Sequence, residues 1–215
     1  MKELQVQLAW NRLLAIVEEQ AQVLMRTAFS TVVREAGDLS AGVFDVNGEM
    51  LAQAVTGTPG HVNSMAEAVK KFLAKYPISK LEPGDVLLTN DPWDGTGHLN
   101  DFTVVTPVFL SSEIIGFFAS TSHIADVGGR GFGPDANDLF EEGLRVPISY
   151  LLEKGEPNKT LMELIKANVR DPLVAEGDLY SLIACNEAGS IELLEMLNDL
   201  DLRDLEELGK IILDR

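Results

Sequence analysis

The sequence predicts an α+β fold with a long N-terminal helix, a mixed or antiparallel sheet in the middle and a helical C-terminal part. Three observations predict this class. Apolar residues recur at helical spacing between residues 4 and 29. Short apolar runs rich in Val, Ile, Phe and Thr, which favour strands, lie between residues 40 and 125. Helical spacing returns after Pro157 and continues towards the C-terminus.

The elements of the first half can be placed in order. One amphipathic helix is expected from Leu4 to Phe29. Asn47-Gly48 then separates two short apolar runs, and because this pair tolerates positive φ at both central positions, it predicts a β-hairpin with a type I′ turn. Ser64 and Glu67 have capping-box spacing, which predicts a helix that starts there and ends before Pro77.

The second half predicts strands followed by helices. A short buried strand in "PGDVLLTN" precedes two strands, "DFTVVTPVFL" and "EIIGFFASTSH", which are joined near Ser111. Three helices follow Pro157, and the last carries an apolar stripe of Leu202, Leu205, Leu208 and Ile212. We therefore expect residues 1–150 to form an α+β region that carries the functional site. Residues 151–215 would form a helical extension that packs on it and continues into a further C-terminal portion.

Composition excludes several classes of function. The chain has 215 residues, 46% of them hydrophobic, which suffices for one large or two small domains. Its 17 basic and 34 acidic residues give a net charge of −17, so neither nucleic acid nor a membrane surface is an expected partner. No apolar run approaches the roughly 18 residues of a membrane span, and the N-terminal stretch lacks the apolar core of a signal peptide. With Cys185 as the single cysteine, no internal disulfide exists, and the expected location is the cytoplasm.

Two His-x-x-Asp pairs stand out because the chain has three histidines. His98 and Asp101 lie where one predicted strand begins, and His123 and Asp126 lie where the next ends. If these strands pair antiparallel, the start of the first lies beside the end of the second, and both pairs meet at one edge of the sheet. Neutral nitrogen and anionic oxygen together suit zinc, manganese or ferrous iron better than calcium or magnesium. A single His-x-x-Asp motif usually forms a hydrogen-bonded surface pair or a loop cap. Its occurrence twice favours a divalent metal site.

Four further residues have both a functional and a structural interpretation. Asp38, in "REAGDLSAG", could supply another carboxylate or serve as a turn residue. His61, in "TPGHVNSM", stands at a helix entry, where it could act in the pocket or cap the helix. Arg130 and Arg145 could bind a substrate carboxylate or phosphate, or could pair with nearby acids.

The acidic pair Glu141-Glu142 ends a predicted loop. It could be a solvated feature of a helix end, or it could supply a group for proton transfer. Among the residues of the predicted site we assign the catalytic roles to His61 and Glu142.

Several blocks, in this order, resemble the hydantoinase B/oxoprolinase family. They are "RTAFSTVVREAGDLSAGVFD", "GHVNSM", "GDVLLTNDPWDGTGHLNDFTVVTPVF", "SHIADVGGRGFGP", "EEGLRVPI" and "NVRDPLVAEGDL". The resemblance implies ATP-dependent hydrolysis of cyclic amides such as 5-oxoproline or N-methylhydantoin, or carboxylation of ketones such as acetone and acetophenone. It implies that a hydantoinase A-type subunit uses the ATP to phosphorylate the substrate, and that the B-type subunit completes the reaction near a divalent metal.

The resemblance also implies roles for individual residues. The metal ligands would be His98, Asp101, His123 and Asp126, with Asp38 completing or replacing one of them, and His61 would be a pocket residue. Family B-type subunits are more than twice as long as this chain, so the resemblance covers their N-terminal portion. Two explanations stay open: a second fragment supplies the C-terminal part as a partner, or the chain is a truncated form of the subunit. Two other functions stay open: a non-catalytic scaffold that docks a partner through its leucine-striped helices, and a self-sufficient metal hydrolase of small amides that needs no ATP.

Overall fold

A seven-stranded antiparallel sheet lies at the centre of the computed structural model, which describes residues 3–95, 97–131 and 133–214. The order of the strands across the sheet is β2-β1-β5-β4-β3-β6-β7. Every neighbouring pair in this order is antiparallel. The strands are β1 (Leu39–Phe44), β2 (Met50–Gln53), β3 (Val86–Thr89), β4 (Asp101–Leu110), β5 (Glu113–His123), β6 (Ser149–Glu153) and β7 (Glu156–Pro157).

Helices cover both faces of this sheet. They are α1 (Glu3–Thr27), α2 (Thr31–Arg34), α3 (Pro59–Lys75), α4 (Leu139–Glu142), α5 (Lys159–Asn168), α6 (Pro172–Asp199) and α7 (Glu206–Leu213), and a 3₁₀ turn spans Ile78–Lys80. The sequence prediction of an α+β fold with a long first helix and a helical C-terminal part is therefore confirmed. None of the helices in the described part of the chain combines enough length with enough apolar character to cross a membrane.

Neighbouring residues of β5 show how the layers are arranged. Phe118 packs with Leu13 of α1 and Leu193 of α6, whereas Phe117 packs with Phe72 of α3. Successive side chains of a strand point to opposite faces, so α1 and α6 cover one face and α3 covers the other. We call the face that α3 covers the α3 face. The candidate site lies on this face.

The hairpin of β1 and β2 forms as predicted, but its turn is not type I′. Positive φ occurs at Gly48 (79°) and not at Asn47, and the loop runs from Asp45 to Glu49. The carboxylate of Asp45 accepts hydrogen bonds from the backbone N–H groups of Asn47 and Glu49. This Asp45 side chain, and not an Asn-Gly turn alone, organises the connection.

Helix α3 begins earlier than the capping-box pattern predicted. Its first residue is Pro59 and its N-cap is Thr58. Ser64 lies inside the helix, where its hydroxyl donates to the carbonyls of Gly60 and His61. Proline suits the first helical position because its fixed φ matches the helix and its missing N–H needs no partner there. The earlier start places His61 in the first turn.

The sheet also extends further along the chain than the predicted limit of residue 125. Strand β6 pairs with β3, and β7 pairs with β6. A boundary between residues 150 and 151 would therefore divide β6. Met162 of α5 and Leu182 of α6 are buried in the same cluster as Phe102 of β4, so the C-terminal helices share a core with the sheet.

The leucine stripe of the last helical segment packs in a second buried cluster, on the α1 and α6 side of the sheet. Leu205 and Leu208 are buried in a cluster that contains Leu51 of β2, and Leu202 and Ile212 pack against it. The surface on which the scaffold alternative relied is thus occupied by the protein's own sheet.

Two glycines of α6 provide a matched test of this packing. A Cβ on Gly189 would lie 2.6 Å from Cε1 of Phe118, which is fully buried. A Cβ on Gly177 would lie 2.4 Å from Cγ of Phe29, which is 50% exposed. Alanine favours a helix by about 1 kcal/mol over glycine, but overpacking costs about 1–3 kcal/mol. We expect Gly189→Ala to lower the free energy of unfolding in urea, and Gly177→Ala to lower it less, because Phe29 can turn into solvent. Equal stability of Gly189→Ala and the wild type would contradict the tight contact between α6 and β5.

Candidate metal centre

Three candidate residues form a row across three adjacent strands. Asp38 immediately precedes β1, His123 ends β5 and Asp101 begins β4. Asp101 lies opposite His123 in the β4–β5 pairing, and the His123 N–H donates to the Asp38 carbonyl at 3.1 Å. Because side chains alternate along a strand, Asp101 and His123 share the α3 face with Thr103 and Thr121. The predicted antiparallel pairing therefore brings two distant parts of the sequence to one edge.

Two further histidines contact the Asp101 carboxylate of this row. His98 comes from the loop before β4, and its Nε2 lies 3.1 Å from Oδ1 of Asp101. His61 comes from the first turn of α3, and its Nε2 lies 3.2 Å from Oδ2 of Asp101. Nδ1 of His123 lies 3.3 Å from Oδ1 of the same carboxylate. One carboxylate thus contacts three imidazoles, all the histidines of the chain.

Asp38 stands beside this arrangement with a partly exposed side chain. Its Oδ1 lies 3.8 Å from Nε2 of His61, and its Oδ2 lies 3.9 Å from Nδ1 of His123. A second carboxylate therefore faces two of the imidazoles at distances slightly beyond direct hydrogen bonding.

Asp101 is held as an anion by its neighbours. Burial by itself would raise the pKa of this carboxyl, but hydrogen bonds from His123, His61 and His98 outweigh it and bring the pKa well below its usual range. The hydrogen bond to Asp101 raises the pKa of His98 against the opposite effect of burial, and the charges of Asp101, Glu142 and Asp38 add to the rise. The cluster is thus an electronegative centre that attracts protons or a cation.

The donor atoms fit a divalent cation. One ligand atom from each of His98, Asp101 and His123 can be chosen so that all lie within 4.8 Å of one another. Two imidazole nitrogens and a buried carboxylate are a donor set that zinc, manganese and ferrous iron accept. Nδ1 of His61 is also buried and lacks a hydrogen-bond partner among the described residues. Such an orphaned polar atom is typical of a site whose remaining partner is a ligand.

Local backbone features place His98. Gly97 has a φ of 65°, and a Cβ there would lie 3.1 Å from Oδ2 of Asp101, so glycine allows the loop to pass close to the carboxylate. Asn90 is fully buried, and its amide donates to the carbonyls of Leu99 and Leu144. Its Oδ1 accepts from the N–H of Val146 at 2.6 Å. The loop that carries His98 is therefore tied to the segment after α4.

Asp126 is engaged elsewhere. Its Oδ1 accepts from the guanidinium of Arg170 at 2.7 Å and from the Gly128 N–H at 3.0 Å, and its Oδ2 accepts from the Arg170 N–H. These hydrogen bonds lower the pKa of Asp126 against the effect of burial. In this structure the second His-x-x-Asp pair contributes its histidine to the cluster, and its aspartate holds Arg170. The role of Asp126 as a metal ligand therefore stays a prediction.

The two arginines expected to bind substrate are also paired within the chain. Nε of Arg145 donates to Oδ2 of the buried Asp91 at 2.7 Å, and its guanidinium stands over the Trp93 ring. Arg130 donates to Oε1 of Glu141 at 2.9 Å. Arg145 and Arg130 thus pair with nearby acids, which is the structural interpretation that the sequence left open for them.

Glu142 lies beside the cluster. It lines an open pocket of about 390 Å³ together with His98 and Asn100. The opposite wall is the glycine-rich segment, with Gly131 and Gly133. Phe132, between these glycines, lies outside the described residues. The pocket thus brings a solvent-accessible carboxylate next to one of the metal-ligand candidates.

Sequence reasoning missed three supporting residues: Asn90, Thr58 and Arg170. Arg170 clamps the glycine-rich segment, because its guanidinium donates to the carbonyls of Gly128 and Gly129 as well as to Asp126. Asn90 and Arg170 lie inside the blocks "LTNDPWD" and "NVRDP", but the local sequence gives no indication of which distant backbone groups they contact.

Fold and site together define a protein with a histidine–carboxylate cluster, a candidate metal centre, at the edge of a helix-covered antiparallel sheet. The profile of the hydantoinase B/oxoprolinase family matches residues 2–215. The chain therefore belongs to the hydantoinase B/oxoprolinase family, as its resemblance predicted.

Individual relatives agree with this assignment. The chain is 38% identical over 205 residues to an uncharacterized protein of Methanocaldococcus jannaschii, covering 93% of this chain and 36% of that one. It is 31% identical over 183 residues to the caprolactamase subunit beta of Pseudomonas jessenii, covering 84% and 31%. The crystal structure of the ATP-dependent caprolactamase from Pseudomonas jessenii superposes with a TM-score of 0.88 at 26% identity, covering 99% of this chain and 37% of that one. The chain thus spans about a third of the length of these relatives.

Proposed function

We propose that the chain is the metal-binding N-terminal part of a B-type subunit of an ATP-dependent hydrolase that opens cyclic amides such as hydantoins or 5-oxoproline. The observation that carries this proposal is the cluster of His98, Asp101 and His123, in which His98 also lines a pocket. Membership of the family supports it, and so does the likeness to a caprolactamase subunit, whose name denotes a lactam-opening enzyme.

In this proposal the chain's own residues divide into holding and proton-transfer groups. His98, Asp101, His123 and Asp38 would hold zinc, manganese or iron, and His61 orients the Asp101 carboxylate through its Nε2. When bound, the cation would polarise a carbonyl oxygen or lower the pKa of a water molecule towards about 7. Glu142, which lines the pocket, then accepts a proton from the attacking water and returns it to the leaving nitrogen. Glu142 keeps the catalytic role that the sequence suggested for it, whereas His61 acts in this proposal by positioning Asp101.

The partner in this proposal is a hydantoinase A-type subunit that uses the ATP. The relative from Pseudomonas jessenii is named as a subunit, and its structure as an ATP-dependent enzyme, which supports an assembly of this kind. The remaining C-terminal part of the B-type subunit would come from further sequence or from a second chain. We place the assembly in the cytoplasm, where a free and buried thiol such as that of Cys185 stays reduced.

One experiment tests the proposal and separates its competitors. The chain is purified with its A-type and C-terminal partners, and amide opening is measured with hydantoin, 5-oxoproline and caprolactam, with and without ATP. We expect ring opening that requires ATP and that a chelator abolishes. Opening by the isolated chain without ATP would favour the self-sufficient hydrolase, carboxylation of acetone or acetophenone would favour the ketone carboxylase, and absence of a stoichiometric metal would favour the scaffold.

A further inference from the structure

Thr58 occupies the N-cap of α3 but does not cap that helix. The side chains of the N-cap residues Asp138, Asn158 and Asp171 accept hydrogen bonds from first-turn N–H groups of α4, α5 and α6. The Thr58 side chain makes no such bond. Its hydroxyl donates instead to Oδ1 of Asp38 at 2.6 Å. A residue type that normally serves a helix end thus serves a carboxylate of the candidate metal centre.

The backbone of Thr58 is fixed to the same strand that follows Asp38. The Thr58 N–H donates to the Leu39 carbonyl at 2.7 Å, and the Ser40 hydroxyl donates to the Thr58 carbonyl at 3.3 Å. Gly57 permits this approach, because a Cβ there would lie 2.5 Å from the Leu39 carbonyl oxygen. The hydroxyl of Thr58 therefore has a defined position relative to Asp38.

Asp38 needs such a restraint more than the other carboxylate does. Asp101 is buried and contacts three imidazoles, whereas the Asp38 side chain is one-third exposed and stands 3.8 Å and 3.9 Å from His61 and His123. Among the described residues, Thr58 is the group that donates a direct hydrogen bond to the Asp38 carboxylate. Without it, this carboxylate would be free to turn towards water.

We propose that Thr58 is a positioning residue, whose hydroxyl holds the Asp38 carboxylate facing His123 so that both can contact one cation. The cation itself rests on the function proposed above, whereas the orientation of Asp38 does not. Groups that orient metal ligands through hydrogen bonds typically change metal affinity by about 10–100-fold when they are removed. Thr58→Val keeps the shape of the side chain and removes the hydroxyl, and Thr58→Ser keeps the hydroxyl.

The first measurement is the affinity of the purified chain for Zn²⁺ and Mn²⁺, determined by competition with a chelating dye. We expect Thr58→Val to weaken binding by about 10-fold or more and Thr58→Ser to change it by less than about 3-fold. Asp171→Ala is the matched control, because it removes a side chain that does cap its helix. Asp171→Ala should lower the melting temperature and leave the metal affinity unchanged. Thr58→Val should lower the metal affinity and leave the melting temperature unchanged. Wild-type affinity in Thr58→Val would overturn the proposal.

A second measurement does not depend on bound metal. Crystal structures of the metal-free wild type and Thr58→Val should differ in the side chain of Asp38, with its carboxylate facing His123 in the first and turned to solvent in the second. If Asp38 keeps its orientation in Thr58→Val, Thr58 does not position it. If Asp38 turns but the wild type binds no divalent ion, the positioning role stands and the proposed metal function fails.

Discussion

Asp101→Asn is expected to abolish metal binding, reducing the metal content of the purified chain from about one equivalent to a trace. Oδ1 of Asp101 faces His98 and His123, and Oδ2 faces His61, so this carboxylate is the centre of the candidate site. Asparagine has the same shape but no charge and one acceptor fewer. Since removal of mere orienting groups costs about 10–100-fold in affinity, removal of a central anionic ligand should cost more than about 100-fold. Elemental analysis after dialysis measures the effect directly.

Asp45→Asn is the control for this substitution. Asp45 follows β1 at the end opposite to Asp38, and its carboxylate organises the β1–β2 turn. The variant should lose some stability and keep its metal. The thermal unfolding of each variant, measured without metal, separates loss of fold from loss of ligand. A full equivalent of metal in Asp101→Asn would show that Asp101 is not a required metal ligand, and it would contradict the proposed metal centre.

The part of the site that sequence patterns could predict is the part that depends on one local pairing. The strands that carry Asp101 and His123 are consecutive and joined by a short turn, so their antiparallel pairing follows from the sequence. That pairing was enough to bring His98, Asp101 and His123 together. The sequence therefore predicts the edge of the sheet at which these three residues lie.

Other contacts depend on distant segments, and no local pattern shows them. Asp38 joins the row because β1 pairs with β5 across a long separation in sequence. His61 reaches Asp101 because α3 starts at Pro59, before the pattern that suggested its first residue. Asp126 repeats the spacing of Asp101 but meets Arg170, which no spacing rule indicates. The local sequence leaves a structural role open for Asp38 and His61, and the resemblance to the family favours their place in the site, whereas Asp126 is predicted from the repeated spacing.

Glu141 and Glu142 are neighbouring acids whose roles the sequence does not distinguish, and we expect the second large effect at one of them. Glu142 lines the pocket beside His98 and contributes to the raised pKa of that histidine. Glu141 instead accepts hydrogen bonds from Arg130 and from the backbone and side chain of Asn137. We expect Glu142→Gln to lower kcat of ATP-dependent amide opening in the assembled enzyme by about 100-fold or more, as loss of a general acid–base group does.

Glu141→Gln is the matched control, since it makes the same chemical change one residue away. Glutamine keeps one of the two oxygens that accept from Arg130 and Asn137, and Glu141 has no proton-transfer role, so kcat should stay within about 3-fold of the wild type. Metal content should be unchanged in both variants, because neither glutamate belongs to the cluster of His98, Asp101 and His123. If both variants keep full activity, the attacking water gives its proton to a group outside α4. Glu142 would then act only by raising the pKa of His98.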